Sequence, residues 1–288
     1  MIKIFADSTC DLNDDQIKDN DITIIPLFIV LGEESYKDRY EITPNEIYKW
    51  SDANKTTPKT ACRSIADTMD EFKKALDNGD EIIAFTISSD MSGTNNTMNL
   101  AASELEAEDR ISIIDSRSLS TGIGLQILKA CELAKEGKSR SEIVNELADI
   151  TPRVRASFVV DTLTYLHRGG RCSSTAALFG NALSLKPKII VKNGKMEATT
   201  KYRGKIDKVI EKYAKNLEEN LLKADSSRVF ITHSGNCEEA VNNVEAYLKG
   251  LNYFKEIVIT RAGGVISSHC GPGTLGVLFI ADSKDAEY

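Results

Sequence analysis

The feature that most constrains the fold is an alternation of short apolar runs with segments of helical periodicity over about the first 150 residues. Apolar runs bounded by turn residues predict strands at 2–6, 22–30, 81–87, 111–114, 157–161, 229–233, 256–260 and 275–281. Parallel strands need a crossover connection, which a helix supplies, so this alternation predicts a doubly wound, mostly parallel sheet. We therefore expect an α/β fold in the N-terminal half.

Capping residues mark several helix starts. Thr43, Pro44 and Glu46 match the capping-box pattern with proline in the first turn, which predicts a short helix from Pro44. Ser64 has the chemistry of an N-cap for the next helix, which we expect to end near Gly79. Two further helices are predicted at 121–137 and 139–150.

The pattern changes in the second half of the chain. Two apolar runs, 188–191 and 196–200, flank Asn193-Gly194, which is typical of a type I′ hairpin turn. Because a hairpin joins antiparallel strands, we expect a second α/β domain with a mixed sheet.

Chain length agrees with two domains, since 288 residues at about 150 per domain is close to two. We place the domains at 1–155 and 156–288. The six cysteines form no CxxC pair and the three histidines are not clustered. We therefore expect reduced thiols, no metal site and no cofactor.

Charge and hydropathy exclude other classes of protein. The formal net charge is −7 and the basic residues are scattered, which argues against a nucleic-acid-binding protein. No run approaches about 18 consecutive apolar residues, so we expect no transmembrane segment. The N-terminus reads as a first strand rather than as a secretory leader, which favours a cytoplasmic protein.

Two segments have the chemistry of an anion site. Ser92-Gly93-Thr94 follows an apolar strand and precedes a helical stretch, where hydroxyls and backbone N–H groups favour an anion. The alternative is a serine-rich loop in which Ser92 or Thr94 caps the helix. His269 precedes Gly-Pro-Gly in what we predict to be a constrained turn between two strands. Its ring can donate to an oxyanion, although a lone histidine is usually structural.

Three other segments are more ambiguous. Gly169-Gly170-Arg171 can present a guanidinium to a phosphate or carboxylate, or it can be a glycine-rich turn with a solvated arginine. Residues 59–63 on their own indicate a plain connecting loop. Residues 7–11 follow the first strand at the sheet edge where doubly wound folds bind ligands, so they could line the site, but we expect Ser8, Thr9 and Asp11 to cap the next helix.

Motifs along the whole chain resemble those of the DegV family. In chain order they are FADSTCDL at 5–12, SSDMSGT at 88–94, IDS at 114–116, LTYLHRGGR at 163–171, KP at 186–187, KYRG at 201–204 and HCGPG at 269–273. The resemblance implies a fatty-acid-binding protein with two α/β domains and the acyl chain buried between them.

The resemblance also implies roles for particular residues. In that family the carboxylate is held by the serine of the SGT motif, a threonine of an earlier loop and the histidine before GPG. These positions correspond to Ser92, Thr60 and His269, with Gly93 and Thr94 completing the ligand-binding segment. The implied protein has no catalytic residue of its own. It presents the long-chain fatty acid to a separate ATP-dependent fatty acid kinase, which forms an acyl phosphate.

Two arginines are associated with that partner, and one segment departs from the family pattern. The arginine that closes GGR, here Arg171, is implied to engage the kinase, and we expect Arg203 on the same surface. The family usually has Lys-Thr-Ser-x-Pro in the loop, whereas this chain has Ala61 and Arg63 in place of the serine and proline. We expect altered ligand preference or weaker binding from this change.

Two alternative functions belong to other classes. A stand-alone hydrolase could use Ser92 as nucleophile and His269 as base. However, the serine lacks the GxSxG pattern of a nucleophile elbow, and no orienting aspartate is identifiable. A nucleotide-binding protein would need a P-loop or GxGxxG, and the sequence has neither.

Overall fold

The computed structural model describes residues 1–172 and 185–286. Within these ranges the strands are β1 (Ile2–Asp7), β2 (Ile22–Ile25), β3 (Phe28–Leu31), β4 (Glu34–Lys37), β5 (Lys59–Ala61), β6 (Glu81–Thr86), β7 (Ile111–Asp115), β8 (Val154–Val159), β9 (Leu185–Lys192), β10 (Lys195–Arg203), β11 (Ala224–His233), β12 (Glu256–Arg261) and β13 (Leu275–Ala281). The helices are α1 (Asp14–Asp19), α2 (Pro44–Asn54), α3 (Ile65–Asp77), α4 (Thr94–Glu104), α5 (Thr121–Lys135), α6 (Arg140–Ile150), α7 (Thr164–Gly169), α8 (Ile206–Lys215), α9 (Glu218–Leu221), α10 (Glu238–Gly250) and α11 (Gly264–Cys270). These elements confirm the predicted α/β class.

The first sheet is parallel, with the strand order β2-β1-β6-β7. Helices cover both of its faces. Phe72 of α3 and Met98 of α4 pack with Phe5 on one face, whereas Ile123 and Ile127 of α5 belong to the core on the other. The doubly wound sheet predicted from the strand–helix alternation is therefore confirmed.

The second sheet is mixed, with the strand order β10-β9-β8-β13-β11-β12. Only β11 and β12 pair in parallel among these strands, and the other neighbours are antiparallel. Helix α5 lies between the two sheets, in contact with β1 and β6 on one side and β8, β11 and β13 on the other. Every residue from Thr121 to Leu128 is consequently buried.

The β9–β10 hairpin joins the second sheet to the carboxyl edge of the first. Asn193 and Gly194 have φ of 51° and 79°, which confirms the type I′ turn. Ser88 Oγ donates to the Gly194 carbonyl at 2.7 Å, and Arg117 Nη2 donates to the Asn193 carbonyl. A Cβ at Gly194 would lie 2.6 Å from Ser88 Oγ, so only glycine suits both the turn and this close approach.

The predicted helix starts are also confirmed. Glu46 Oε2 accepts from the Thr43 N–H at 2.8 Å, and Thr43 Oγ1 accepts from the Glu46 N–H at 3.4 Å, which completes the capping box. Ser64 Oγ accepts from the Asp67 N–H at 3.1 Å. Ser139 caps α6 in the same way. These caps are local contacts, which is why the sequence alone predicts them.

A small antiparallel sheet, β4-β3-β5, was not predicted. The strand predicted at 22–30 is two strands in two sheets, because Pro26 follows β2 and lacks the N–H that a ladder needs. Residues 59–61, predicted as a loop, form β5, in which Thr60 pairs with Ile29 of β3. The first prediction was wrong because Pro26 interrupts the apolar run, and the second because β5 depends on a strand partner elsewhere in the chain.

The constrained turn predicted around His269 is also wrong. The segment is the short helix α11, and His269 lies in its last turn. Gly271, with φ of 74°, ends the helix before Pro272. The apolar run of α11 is too short for its periodicity to distinguish a helix from an irregular segment.

The predicted domain boundary lies inside β8, the first strand of the second sheet, so the division at 1–155 and 156–288 stays a prediction. Among the residues that the structure describes, no helix has the length and apolar content that crossing a bilayer requires.

Candidate functional site

A cavity of ≈ 250 Å³ lies between the two halves of the chain. Leu27, Ile87 and Met91 line it from the N-terminal half, and Met196 and Ile266 line it from the C-terminal half. The other lining residues are Thr60, Ala61, Cys62, Ser92, Gly93, Leu119, Arg171, Val265, His269 and Cys270. The walls are thus mainly apolar, with polar groups that suit an amphipathic ligand.

Thr60 and His269 meet in this cavity although 209 residues separate them. Thr60 Oγ1 and His269 Nε2 are 2.9 Å apart and form a hydrogen bond. Thr60 is held by the pairing of β5 with β3, and His269 is carried by α11. The structure therefore brings into contact two residues that the family resemblance assigned to the same carboxylate.

The surroundings of the His269 ring favour one tautomer. Nδ1 is buried without a hydrogen-bond partner in the part of the chain that the structure describes, and a Cβ on Gly169 would overlap it. An unpaired acceptor is tolerated better than an unpaired buried N–H, so the proton belongs on Nε2. Burial, followed by the charge of Arg171, lowers the pKa of His269 to about 4. A neutral ring then donates to Thr60, and the Thr60 hydroxyl proton is available to an acceptor in the cavity.

Ser92, Gly93 and Thr94 form a second polar segment. Ser92 Oγ lies 2.9 Å from Thr94 Oγ1 and accepts from the Thr94 N–H at 3.3 Å. Thr94 is buried and supports Ser92, whereas Ser92 and Gly93 line the cavity. Among the residues that the structure describes, none has an atom within 4 Å of a Cβ placed on Gly93, which precedes the first residue of α4.

The two arginines lie in different places. Arg171 is exposed and also lines the cavity, so it lies at the rim, where its Nη1 donates to the Gly169 carbonyl at 2.7 Å. Arg203, expected on the same surface, lies on a separate groove of ≈ 710 Å³ with Lys201 and Lys208. The structure brings only Arg171 to the head-group candidates.

Arg63, which replaces the usual proline, and its neighbour Cys62 make contacts that hold the loop. Arg63 Nη2 donates to Glu71 Oε1 of α3 at 3.4 Å. Cys62 Sγ accepts from Thr97 Oγ1 of α4 at 3.6 Å. These contacts and the pairing of β5 with β3 restrict the conformation of the loop, which lacks the proline that the family resemblance leads us to expect.

Sequence reasoning missed two buried aspartates that hold the N-terminus of α11. Asp11 Oδ1 accepts from the Gly263 N–H at 2.8 Å, and Asp38 Oδ1 accepts from the Gly264 N–H at 2.8 Å. Capping of the next helix was the wrong interpretation for Asp11, because Asn13 caps α1. Burial raises the pKa of Asp11 to about 8 and also raises the pKa of Asp38. The position of Asp11 after a buried strand was the one available signal, and it did not identify a partner 252 residues away.

Ser92 and His269 are not arranged as a nucleophile and its base. Ser92 hydrogen-bonds to Thr94 and His269 hydrogen-bonds to Thr60, so the structure does not pair the serine with the histidine. A nucleophilic serine needs a base in hydrogen-bond reach and a third group that orients the base. The cavity does provide the hydroxyl groups of Thr60 and Ser92 within mainly apolar walls.

Known sequences resemble this chain over nearly its whole length. The model of the DegV family of uncharacterised proteins matches residues 1–282. A DegV domain-containing protein of Caldanaerobacter subterraneus subsp. tengcongensis is 35% identical over 280 residues, covering 96% of this chain and 98% of that protein. Another from Deinococcus radiodurans is 31% identical over 276 residues, covering 96% and 97%.

Solved structures share the fold. A DegV family protein of Thermus thermophilus, described with fatty acid binding, superimposes with a TM-score of 0.89 at 31% identity over 97% of this chain and 99% of that one. DegV of Bacillus subtilis, described as a fatty acid binding protein, gives 0.85 at 30% identity over 97% and 99%. A stearic acid-binding protein of Eubacterium ventriosum gives 0.86 at 29% identity over 98% and 99%. With a family match from residue 1 to residue 282 and relatives aligned over nearly their whole length, this chain belongs to the DegV family.

Proposed function

We propose that the protein binds one long-chain fatty acid in the cavity between its halves and presents it to a separate ATP-dependent fatty acid kinase for acyl-phosphate formation. The observation that carries the proposal is a mainly apolar cavity in which Thr60, His269 and Ser92 supply the polar groups. The fatty acid binding described for the relatives from T. thermophilus and B. subtilis supports it.

Apolar burial supplies the affinity. A saturated 16-carbon acid carries about 15 methyl and methylene groups, and at roughly 0.8 kcal/mol each their burial contributes about 12 kcal/mol before costs. Lost motion on association and the ordering of the chain offset several kcal/mol of this. What remains after these costs sets the net affinity.

The acyl tail needs more space than the main cavity offers. Its volume of ≈ 250 Å³ is below the range of about 300–1,000 Å³ that is usual for ligand pockets. A second void of ≈ 30 Å³ shares Leu119, Ile266 and Cys270 with the main cavity and continues to Phe158 and Leu278. We expect the tail to enter this void when the shared side chains shift.

Hydroxyl donors stabilise the carboxylate. An ionised carboxylate buried without partners would be prohibitively costly. Thr60 donates its hydroxyl proton when its oxygen accepts from His269, and Ser92 supplies a second hydroxyl. The open backbone at Gly93 adds the favourable field of a helix start. These neutral donors bind an anion without a buried lysine.

Denaturing extraction of the purified protein is expected to release fatty acids at close to one per chain. The measurement is mass spectrometry of the extract against a mock purification. Protein that carries no lipid, and that also takes none up from added palmitic acid, would rule out the carrier function.

Replacement of Arg171 by alanine is expected to separate binding from presentation. The exposed guanidinium at the rim can reach a phosphate or an acidic partner surface. We expect fatty-acid affinity to stay within about threefold, below roughly 0.7 kcal/mol. Acyl-phosphate formation with a cognate kinase and ATP should fall by about tenfold or more.

The matched control for this experiment is Arg168→Ala, which removes an exposed arginine of α7 that does not line the cavity. It should change neither readout. Arg203→Ala should lower turnover without changing affinity if its groove also contacts the kinase. An Arg171 variant that loses ligand but keeps turnover at saturating fatty acid would place Arg171 in the binding site instead.

A further inference from the structure

We infer that Asp11 and Asp38 are positioning residues for the head-group histidine. By fixing the N-terminus of α11, they hold His269 at hydrogen-bond distance from Thr60. The inference rests on the proposed function, because the Thr60–His269 pair is the group that we assign to the fatty-acid carboxylate.

Asp38 contacts α11 directly. Its Oδ1 accepts from the Gly264 N–H at 2.8 Å, while its Oδ2 accepts from Ser8 Oγ at 2.7 Å. Asp38 and Gly264 are both buried, and a Cβ on Gly264 would lie 2.9 Å from Asp38 Oδ1. The carboxylate and the helix start therefore meet with no space for a side chain between them.

Asp11 makes the equivalent contact one residue earlier. Its Oδ1 accepts from the Gly263 N–H at 2.8 Å, and its Oδ2 accepts from Ser120 Oγ at 2.5 Å. Two successive N–H groups at the start of α11 are thus bound by two aspartate side chains from the N-terminal half.

The helix needs these contacts because it is short. It spans 7 residues, and isolated helices below about 12–15 residues are marginal in water. Its orientation is consequently set by tertiary contacts, which include its packing against α2 and α7 as well as the two aspartates at its start. His269 is five residues from Gly264, about 8 Å along the axis, so a tilt at the start displaces the imidazole at the end.

The same small sheet fixes both members of the pair. Thr60 of β5 pairs with Ile29 of β3, and β3 pairs with β4, which ends just before Asp38. The Asp38 N–H also donates to the Leu27 carbonyl at 2.8 Å. The sheet therefore holds Thr60 directly and His269 through Asp38 and α11.

The test compares a carboxylate ligand with a neutral one. Affinities for palmitic acid and for 1-hexadecanol are measured by competition with a fluorescent fatty acid in wild type, Asp38→Ala, Asp11→Ala and Asp38→Asn. We expect both alanine variants to lower the acid-to-alcohol affinity ratio by about fivefold or more. Asp38→Asn retains an acceptor for the Gly264 N–H and should keep the ratio within about twofold of wild type.

Two controls separate positioning from loss of stability. Tyr213→Phe removes a buried hydroxyl that bonds to Ser157 and Val277 in the C-terminal core, away from the cavity. It should lower stability and leave the ratio unchanged. In a His269→Ala background, Asp38→Ala should have no further effect on the ratio, since it acts through the histidine.

Ser8→Ala decides the question if Asp38→Ala fails to fold. It removes one donor to Asp38 and should lower the ratio by about twofold or more. Variants that keep the wild-type ratio while wild type prefers the acid would overturn this inference alone. Wild-type protein that binds neither palmitic acid nor hexadecanol would instead overturn the proposed function.

Discussion

Alanine at Thr60, Ser92 or His269 is expected to weaken fatty-acid binding by about 1–3 kcal/mol each, roughly 5- to 150-fold. Removing a hydroxyl leaves the carboxylate short of a hydrogen-bond donor. In this site, water does not readily take the place of the lost hydroxyl. Removing the imidazole frees Thr60 to turn its hydroxyl proton elsewhere. Titration of delipidated protein with fatty acid measures each loss. The effect of Thr60→Ala is not compensated by its neighbour, since Ala61 has no hydroxyl.

Two further variants sharpen this test. Thr60→Val removes the hydroxyl while keeping the branched shape that β5 needs, so it should match Thr60→Ala. Ser89→Ala is the matched control for Ser92→Ala, because Ser89 is an exposed serine between β6 and α4 whose hydroxyl donates to Asp115. It should leave fatty-acid affinity unchanged. Because Thr60 and His269 act as a unit, the double variant should cost little more than either single change. Unchanged affinity in all three alanine variants would put the carboxylate elsewhere in the molecule.

Acidification from pH 7.5 to pH 5 is expected to lower the unfolding free energy of the ligand-free protein by about 2 kcal/mol through His269 alone. The pKa of His269 is lowered to about 4 in the folded protein, first by burial and then by Arg171. An unfolded histidine titrates near its ordinary pKa of about 6.5. Between those values the unfolded chain binds a proton that the folded protein does not, so stability falls as pH decreases from 6.5 towards 4.

Chemical denaturation at the two pH values measures this effect as a difference between wild type and His269→Gln. Other groups titrate in both proteins and cancel in the comparison. The wild type should lose about 2 kcal/mol more than the variant. Arg171→Ala should reduce the pH dependence, because it removes one of the two causes of the lowered pKa. Equal pH dependence in wild type and His269→Gln would show that the ring is not held neutral.

Short-range features are what the sequence by itself determined. The Thr43–Glu46 capping box and the Asn193-Gly194 turn each depend on residues within a few positions of one another. Hydrophobic periodicity likewise predicts the parallel sheet and its helices, since a strand or helix face is a local pattern. Motif order along the chain also pointed to the family. The resemblance singled out five residues that line the cavity, namely Thr60, Ser92, Gly93, Arg171 and His269, and two that do not, Thr94 and Arg203.

The geometry of the candidate site was decided only by the tertiary structure. The sequence around Thr60 predicts a loop, whereas pairing with β3 makes it part of a strand. Nothing near Thr60 in the sequence indicates that its hydrogen-bond partner is His269. Asp11 looked like a cap for the next helix, but it holds one that begins more than 250 residues later. Such contacts form because buried backbone N–H and C=O groups need hydrogen-bond partners when distant segments pack together. No local pattern of residues indicates which distant side chain will supply the partner.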